Sequence, residues 1–393
     1  MNIPRVRALV ALSLLLVFGT GCSSHENDAG ADAGSGLAKD AGEGWKAGGE
    51  WTLHEVTRIG SADDPAHAFS RIVDLALDGM GRVWVADRQE NRIGVFAPEG
   101  RHVRSLGRPG RGPAEFLSIA GMDWGPDGNL WVLDGGNMRF AVYDTTGRLA
   151  GTHRRSSTTV VAPWPLGFDR EKRLYDLGSS RVPGEDPRII TRLTADLQPR
   201  DSFRLPEFKT PVFEIVSRQG HNVSVEQVTV PFAGLQEWRV DPQGFVWVGV
   251  TDRYRLERYR FDGTLERVVE RQIRPERIPR SRRRSIAADY RDFERRGGQI
   301  DVARIPDTYP VFDGFFFGDD GTLWVKRSTG GRGGRARLDV FSDAGAYLGA
   351  VEAPAGLLIS PAPVVRDGRM VAVLQDENQV ESVVVMRIEK PAQ

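Results

Sequence analysis

The sequence is poor in cysteine, in net charge and in long apolar runs. One cysteine in 393 residues excludes a disulfide framework and a zinc site built from several thiolates. The 53 basic and 53 acidic residues leave no net charge, so the chain lacks the bulk electrostatic attraction on which nucleic acid binding depends. By contrast, 45 glycines, 23 prolines and a hydrophobic fraction of 40% are typical of a turn-rich β protein with a real core.

The N-terminus has the pattern of an export signal. Two arginines precede the apolar run Ala8–Phe18, which is too short to span a bilayer as a stable helix. The string ending at Cys22 resembles a bacterial lipobox, although Gly19 stands where that family usually has leucine. The resemblance implies that residues 1–21 are a cleaved signal peptide and that Cys22 is lipidated. Ser23 then implies anchoring at the outer membrane. An ordinary cleaved signal with an incidental cysteine is the alternative.

The segment 22–50 is predicted to be a disordered tether. It is rich in glycine and alanine with charges between them, a composition that cannot bury a core. A Gly-rich coil of that size spans roughly 28 Å between its ends. We therefore expect one folded domain over residues 51–390, held near a membrane by its lipid.

A six-fold repeat fills that domain. A string of the form turn, glycine, apolar, aromatic, apolar recurs, and its aromatic column lies 47, 44, 72, 77 and 47 residues apart. The column is occupied by Trp84, Trp131, Tyr175, Trp247, Trp324 and Val371. Two intervals are inflated by insertions, and the others have the length of a four-stranded propeller blade.

Alternating strands and Gly-rich turns around each string indicate antiparallel hairpins. The sequence therefore predicts an all-β, six-bladed β-propeller with four-stranded antiparallel blades. The last repeat shows only three strands. We expect Trp51–Ile59 to add the fourth, because an N-terminal strand that closes the last blade removes an exposed sheet edge.

Two strings in the first blades resemble an NHL repeat. They are Val85–Phe96, which reads VADRQENRIGVF, and Gly107–Phe116, which reads GRPGRGPAEF. The whole layout resembles the bacterial six-bladed β-propeller lipoproteins with NHL-like repeats. The resemblance implies the fold and says little of function, because propellers host many activities.

Two insertions enlarge the repeat. The sequence of residues 205–230 predicts an extended hairpin that reaches over one face of the propeller. Residues 274–300 predict a helix, because Ile286, Tyr290 and Phe293 share one helical face. Four arginines crowd its start, where the helix dipole disfavours cations. These candidates for an anionic surface, such as a lipid, a lipopolysaccharide phosphate or an acidic partner, are Arg280, Arg282, Arg283 and Arg284. A solvated lid helix is the alternative.

Charged residues are also predicted at the axial channel. Alignment on the aromatic column places Asp74 and Glu237 near the start of innermost strands, with Asp123, Arg239 and Asp313 close by. These channel-mouth candidates suit a ligand, a salt-bridged mouth or a calcium site, since hard cations take oxygen ligands. Related propellers of the gluconolactonase and paraoxonase type use such a metal to hydrolyse lactones or esters, but the sequence has no matching Asn-rich ligand set, and Arg239 would neutralise the carboxylates directly.

The sequence lacks the motifs of several other kinds of catalytic site. The zinc-dependent amidating lyases with NHL propellers need histidine ligands, and none of the six histidines recurs at the start of an innermost strand. The string Gly-x-Ser-x-Gly is missing, and so is a phosphate-binding loop. We expect an exported, envelope-anchored monomer that binds a protein, peptide or glycan without catalysis or cofactor. A calcium-dependent lactone or ester hydrolase is the alternative.

Overall fold

The computed structural model contains a single run of sheets with two insertions. It describes residues 51–60, 68–155, 167–178, 188–194, 196–219, 222–295, 298–330 and 335–390. The predicted signal peptide, Cys22 and the tether lie outside the described residues. In that part of the chain, no helix is long and apolar enough to cross a membrane.

The first half of the chain forms three blades. Strand β1 (Thr52–Ile59) comes first in the chain and lies outside these three blades. Each of the three is an antiparallel sheet whose strands follow one another from the innermost to the outermost. Blade 1 contains β2 (Ile72–Leu77), β3 (Val83–Asp87), β4 (Arg92–Phe96) and β5 (His102–Leu106). Blade 2 contains β6 (Ile119–Trp124), β7 (Leu130–Asp134), β8 (Arg139–Tyr143) and β9 (Leu149–Arg154), with a 3-10 turn at Gly135–Asn137. Blade 3 contains β10 (Leu174–Gly178), β11 (Ile189–Leu193) and β12 (Pro199–Arg204), and a bridge from Phe168 to Leu174 marks its innermost position.

The second half carries the insertions. The first insertion is the predicted hairpin, β13 (Val212–Gln219) paired with β14 (Asn222–Thr229). Blade 4 contains β15 (Gln236–Val240), β16 (Val246–Val250), β17 (Arg255–Tyr259) and β18 (Leu265–Glu270). The second insertion contains α1 (Arg280–Asp289), α2 (Arg291–Arg295) and a 3-10 turn at Val302–Arg304. Blade 5 contains β19 (Phe312–Phe317), β20 (Leu323–Arg327), β21 (Arg337–Phe341) and β22 (Tyr347–Glu352).

The last blade is built from both ends of the domain. It contains β23 (Val364–Arg366), β24 (Arg369–Gln375) and β25 (Glu381–Glu389), and β1 pairs antiparallel with β25 as its outermost strand. Trp51 continues this closure onto blade 5, where its indole Nε1–H donates to the Leu348 carbonyl at 3.2 Å. The chain is a six-bladed β-propeller. The prediction that an N-terminal strand closes the ring is confirmed.

The core lies between the blades. All five residues of β3 are buried, because each face of the strand packs on a neighbouring blade and the usual alternation is lost. One cluster joins blades 1 and 2 through Trp84, Ile93, Ile119 and Val132. Burying each aliphatic side chain of this kind contributes about 1.5–3 kcal/mol. The hydrophobic stabilisation therefore depends on the ring being closed.

A buried aspartate ties the first turn of several blades to the aromatic column. In blade 4, Asp241 accepts hydrogen bonds from the Phe245 amide at 3.0 Å and from the Trp247 indole at 2.9 Å, and it pairs with Arg258 at 2.8 Å. Asp78 and Asp169 occupy the same place in blades 1 and 3. The aspartate six residues before the aromatic residue therefore holds both the first turn of the blade and the aromatic side chain in place.

The two insertions pack against each other. Phe213 and Ile215 of the hairpin share one buried cluster with Ile286 and Phe293 of the helices. Both insertions leave an outermost strand and lead to the next innermost strand, so they start from the same face of the propeller. They form a single satellite layer with its own small core.

Candidate functional site

The axis of the propeller holds a cavity of about 810 Å³. Residues from the innermost position of all six blades line it. The lining includes nearly all of β2 and β15 and the later halves of β6 and β19. It continues into the turns that follow the innermost strands, as with Arg170, Lys172 and Asp319. Such a volume falls within the range of small-molecule sites, roughly 300–1,000 Å³.

Two of the predicted channel carboxylates are bonded to backbone. Asp74 accepts from the Leu75 amide at 2.9 Å and from the Met122 amide in blade 2 at 2.7 Å. Asp123 repeats this bond from blade 2 to blade 3. An innermost strand has no partner towards the axis, so its inward amides need another acceptor. These aspartates supply it and join neighbouring blades.

Burial makes both of these aspartates hard to ionise. Removal from water raises the pKa of Asp74 to about 8, against the lowering effect of its two amide donors. Burial raises the pKa of Asp123 as well, and the positive charges of Lys172 and Arg366 oppose the rise. At neutral pH Asp74 is mostly protonated and contributes little negative charge to the cavity.

The third carboxylate has a different environment. Glu237 lies two residues before Arg239 on β15, so both side chains are on the same side of the strand. Their closest charged atoms are 3.6 Å apart. Arg239 donates to the Trp238 carbonyl at 2.7 Å, but its Nε–H has no hydrogen-bond partner in the described part of the chain. Burial raises the pKa of Glu237 and lowers that of Arg239.

Further polar groups line the cavity without a partner. Among the described residues, the buried Trp124 Nε1 and Gln236 Oε1 form no hydrogen bond. At the mouth, the Arg170 guanidinium donates to the Asp319 carbonyl, which links blade 3 to blade 5 across the opening. Arg366 donates to the Leu77 carbonyl at 3.4 Å. The guanidinium groups of Arg170 and Arg366 therefore belong to the cavity lining.

The structure brings together four of the five predicted channel residues. Asp74, Asp123, Glu237 and Arg239 line the cavity, whereas Asp313 does not. The register of β19 shifts between Phe312 and Gly314, so Asp313 is the extra residue of a bulge, and it pairs with Lys326 at 3.0 Å.

Sequence reasoning missed the residues of the far mouth. It placed the site near the starts of the innermost strands, and the cavity extends to their ends. Arg170 and Lys172 follow the innermost position of blade 3 inside a repeat string, which is the signal that could have identified them.

The donor set does not fit calcium. No group of three or more potential metal ligands comes together in the described ranges. The oxygens of Asp74 and Asp123 already face amide hydrogens, whose partial positive charge repels a cation. Arg239 adds a full positive charge to the same cavity. The residues present therefore do not support the calcium-dependent hydrolase.

The four arginines of the helical insertion are spread over different environments. Arg283 forms an ion pair with Asp307 inside the insertion. Arg280 and Arg284 are exposed, and Arg282 is half-buried with its guanidinium 3.4 Å from the Ser285 hydroxyl. An anionic-surface site on this helix stays a prediction, and Arg280 and Arg284 are the members that remain open to solvent.

Comparisons with known proteins agree on the fold. Residues 69–176 match the DUF5128 family, which is described as a six-bladed β-propeller. The matched stretch covers blades 1 and 2 and the start of blade 3. No curated protein matches the chain significantly.

Solved structures share the architecture at low sequence identity. A protein of Bacteroides fragilis NCTC 9343 whose name describes it as exported is similar with a TM-score of 0.50 and 11% identity, over 86% of this chain and 96% of that one. Virginiamycin B lyase of Staphylococcus aureus has a TM-score of 0.43 and 12% identity, over 86% and 99%. The calcium-binding protein regucalcin of Agrobacterium tumefaciens has a TM-score of 0.41 and 12% identity, over 86% and 96%. At these identities the similarity extends to the fold alone.

Proposed function

We propose that this protein is an envelope-anchored lipoprotein, acylated at Cys22, whose propeller binds a ligand in its axial cavity without catalysing a reaction. The ligand is a peptide, a glycan or an exposed segment of another envelope protein. The observation that carries the proposal is the cavity itself, since residues of all six blades line it and the charged pair of Glu237 and Arg239 is among them.

The carboxylates support binding over chemistry. Asp74 and Asp123 bond to backbone amides, and each oxygen of the two carboxylates accepts one such bond, an arrangement that holds blades together. A general base needs a free oxygen within hydrogen-bond reach of the proton that it removes. Glu237 stands beside a guanidinium that would hold its charge in place.

A ligand screen by thermal unfolding tests the cavity. The full-length protein in detergent is heated with short peptides and oligosaccharides, and a ligand present at about 100 times its Kd stabilises the folded state by about 2.7 kcal/mol. We expect Arg239→Gln to abolish the shift. Arg335→Gln removes an equal charge from an exposed pair with Glu352 and should leave the shift unchanged. Equal shifts in both variants would place binding elsewhere.

Anchoring is tested separately. We expect the wild-type protein to fractionate with membranes and to incorporate a labelled fatty acid. Cys22→Ala should lose both while the propeller still folds, because the cysteine lies outside the domain. Membrane fractionation by the alanine variant would contradict lipid anchoring and leave the cavity proposal intact.

A further inference from the structure

Glu237 and Arg239 form an ion pair that is incompletely bonded. Their separation of 3.6 Å exceeds the 2.7–3.2 Å of an N–H···O hydrogen bond. A guanidinium carries five donors and a carboxylate can accept about four hydrogen bonds. Arg239 donates to the Trp238 carbonyl at 2.7 Å, and its charge opposes the rise that burial causes in the pKa of Glu237. Both groups therefore retain bonding capacity towards the cavity.

The pair is only partly compensated. Burial disfavours the charged form of each residue, and the opposite charge offsets that effect for both, while Arg239 also donates to the Trp238 carbonyl. Even a fully buried ion pair is often no more stabilising than apolar residues of equal size, and this pair is partly exposed. Asp74 and Asp123 differ, since each joins two blades through backbone amides. The unsatisfied pair on β15 has no comparable structural role.

The two charges select the chemistry of a ligand. An anion without a positive group would meet Arg239 favourably and Glu237 unfavourably, and a simple cation would meet the reverse. A group that carries both charges side by side satisfies both residues. Its carboxylate accepts from Arg239, whose planar fork matches that geometry, and its ammonium donates to Glu237.

We propose that the axial cavity binds a zwitterionic ligand whose ammonium and carboxylate groups are adjacent, as in an α-amino acid. This inference rests on the proposed binding role of the cavity and extends its ligands beyond peptides and glycans to a free amino acid. Aromatic and aliphatic residues of the lining, such as Val73, Phe168 and Phe316, leave apolar space for the remainder of the ligand.

Calorimetric titration of the full-length protein tests the proposal. The probes are alanine, leucine, phenylalanine and glutamate in L and D forms, followed by the N-acetyl, amide and doubly blocked derivatives of the tightest. We expect the free amino acid to bind and each single block to weaken binding about ten- to hundredfold, the cost of a lost charge-assisted hydrogen bond.

Variants assign each end of the ligand to a residue. Arg239→Gln should weaken the free amino acid and leave its amide derivative unaffected, whereas Glu237→Gln should spare the N-acetyl derivative. Arg239→Lys keeps the positive charge but lacks the planar guanidinium, and it replaces Arg239→Gln in this test if the glutamine variant unfolds. The exposed pair Arg335 and Glu352 supplies matched controls, Arg335→Gln and Glu352→Gln, with unchanged binding.

Two results would overturn the inference. One is equal binding of the free and doubly blocked forms, and the other is no heat from any free amino acid at millimolar concentration. The proposed function fails only if the peptides and oligosaccharides also give no thermal shift. A peptide shift that survives Glu237→Gln would retain cavity binding and reject the zwitterion.

Discussion

The carboxyl group of Asp74 should make the stability of the protein depend on pH. In the folded protein its pKa is raised to about 8, whereas in the unfolded chain it is near the ordinary value of 3.8. Folding therefore takes up a proton between these two values. The stabilising contribution is complete below about pH 4 and is lost as the pH rises through about 8.

The magnitude follows from the two pKa values. Between pH 5 and pH 7 the folded state holds nearly one proton more than the unfolded state at this residue. Each pH unit then removes about 1.4 kcal/mol, so Asp74 alone lowers the free energy of unfolding by about 2.5 kcal/mol over that interval. Because the cavity is wide enough to admit water, this figure is an upper bound.

The variant Asp74→Asn isolates the effect. The amide oxygen can accept from only one of the two amides, Leu75 or Met122, so the variant should lose about 1 kcal/mol at pH 5. The asparagine does not ionise, so its disadvantage should shrink with rising pH and reverse near pH 6, about 0.7 pH unit above pH 5 at about 1.4 kcal/mol per unit. Urea unfolding at a series of pH values, followed by tryptophan fluorescence, measures both curves.

A matched control and a refuting result are available. Hydrogen bonds from Thr264 lower the pKa of the exposed Asp262, so Asp262→Asn should parallel the wild type from pH 5 to pH 8. If Asp74→Asn also runs parallel to the wild type, Asp74 is ionised in the folded protein. Burial would then not control its charge.

Three further outcomes test the fold. Arg258→Gln leaves the Asp241 carboxylate buried without its counter-ion and should cost about 3–5 kcal/mol in urea unfolding. Trp247→Phe removes a hydrogen bond to that carboxylate and should cost more stability than Trp324→Phe, because the Trp324 indole donates to a neutral threonine hydroxyl. Equal losses of stability would contradict a charge-assisted bond at Trp247. Deletion of β1 exposes the edge of β25, so size-exclusion chromatography should show large aggregates, and an unchanged elution volume would refute closure by this strand.

The sequence contained enough to predict the fold because the repeat expresses local chemistry. The aspartate, the turn glycine and the aromatic residue lie within one hairpin, as in Asp241–Trp247, so their pattern survives in the linear order. Gly244 illustrates the constraint, since its φ of 89° suits the turn and an added Cβ would lie 2.4 Å from the Tyr175 hydroxyl. The closing strand was predictable for a similar reason, because only one unassigned alternating segment remained.

The site was less predictable because its bonds join distant blades. The acceptor role of Asp74 depends on the Met122 amide, 48 residues away, and no local pattern shows which backbone group will face a given carboxylate. The bulge that turns Asp313 towards Lys326 depends on strand register, which the alignment of repeats treats as constant. The sequence therefore predicted that charged residues lie at the cavity better than it predicted which groups each of them contacts.

Bonding partners on the innermost strands separate charges that build the ring from charges that remain available. At the register position of Asp74 and Glu237, blades 2 and 5 carry Gly121 and Gly314. A Cβ at Gly314 would lie 2.4 Å from Cδ1 of Ile359, so the glycine accommodates that side chain. A carboxylate that serves to close the ring accepts a backbone amide of the next blade, as Asp74 does. Glu237 is instead paired with Arg239 at 3.6 Å, which is why we assign recognition to Glu237 and structure to Asp74.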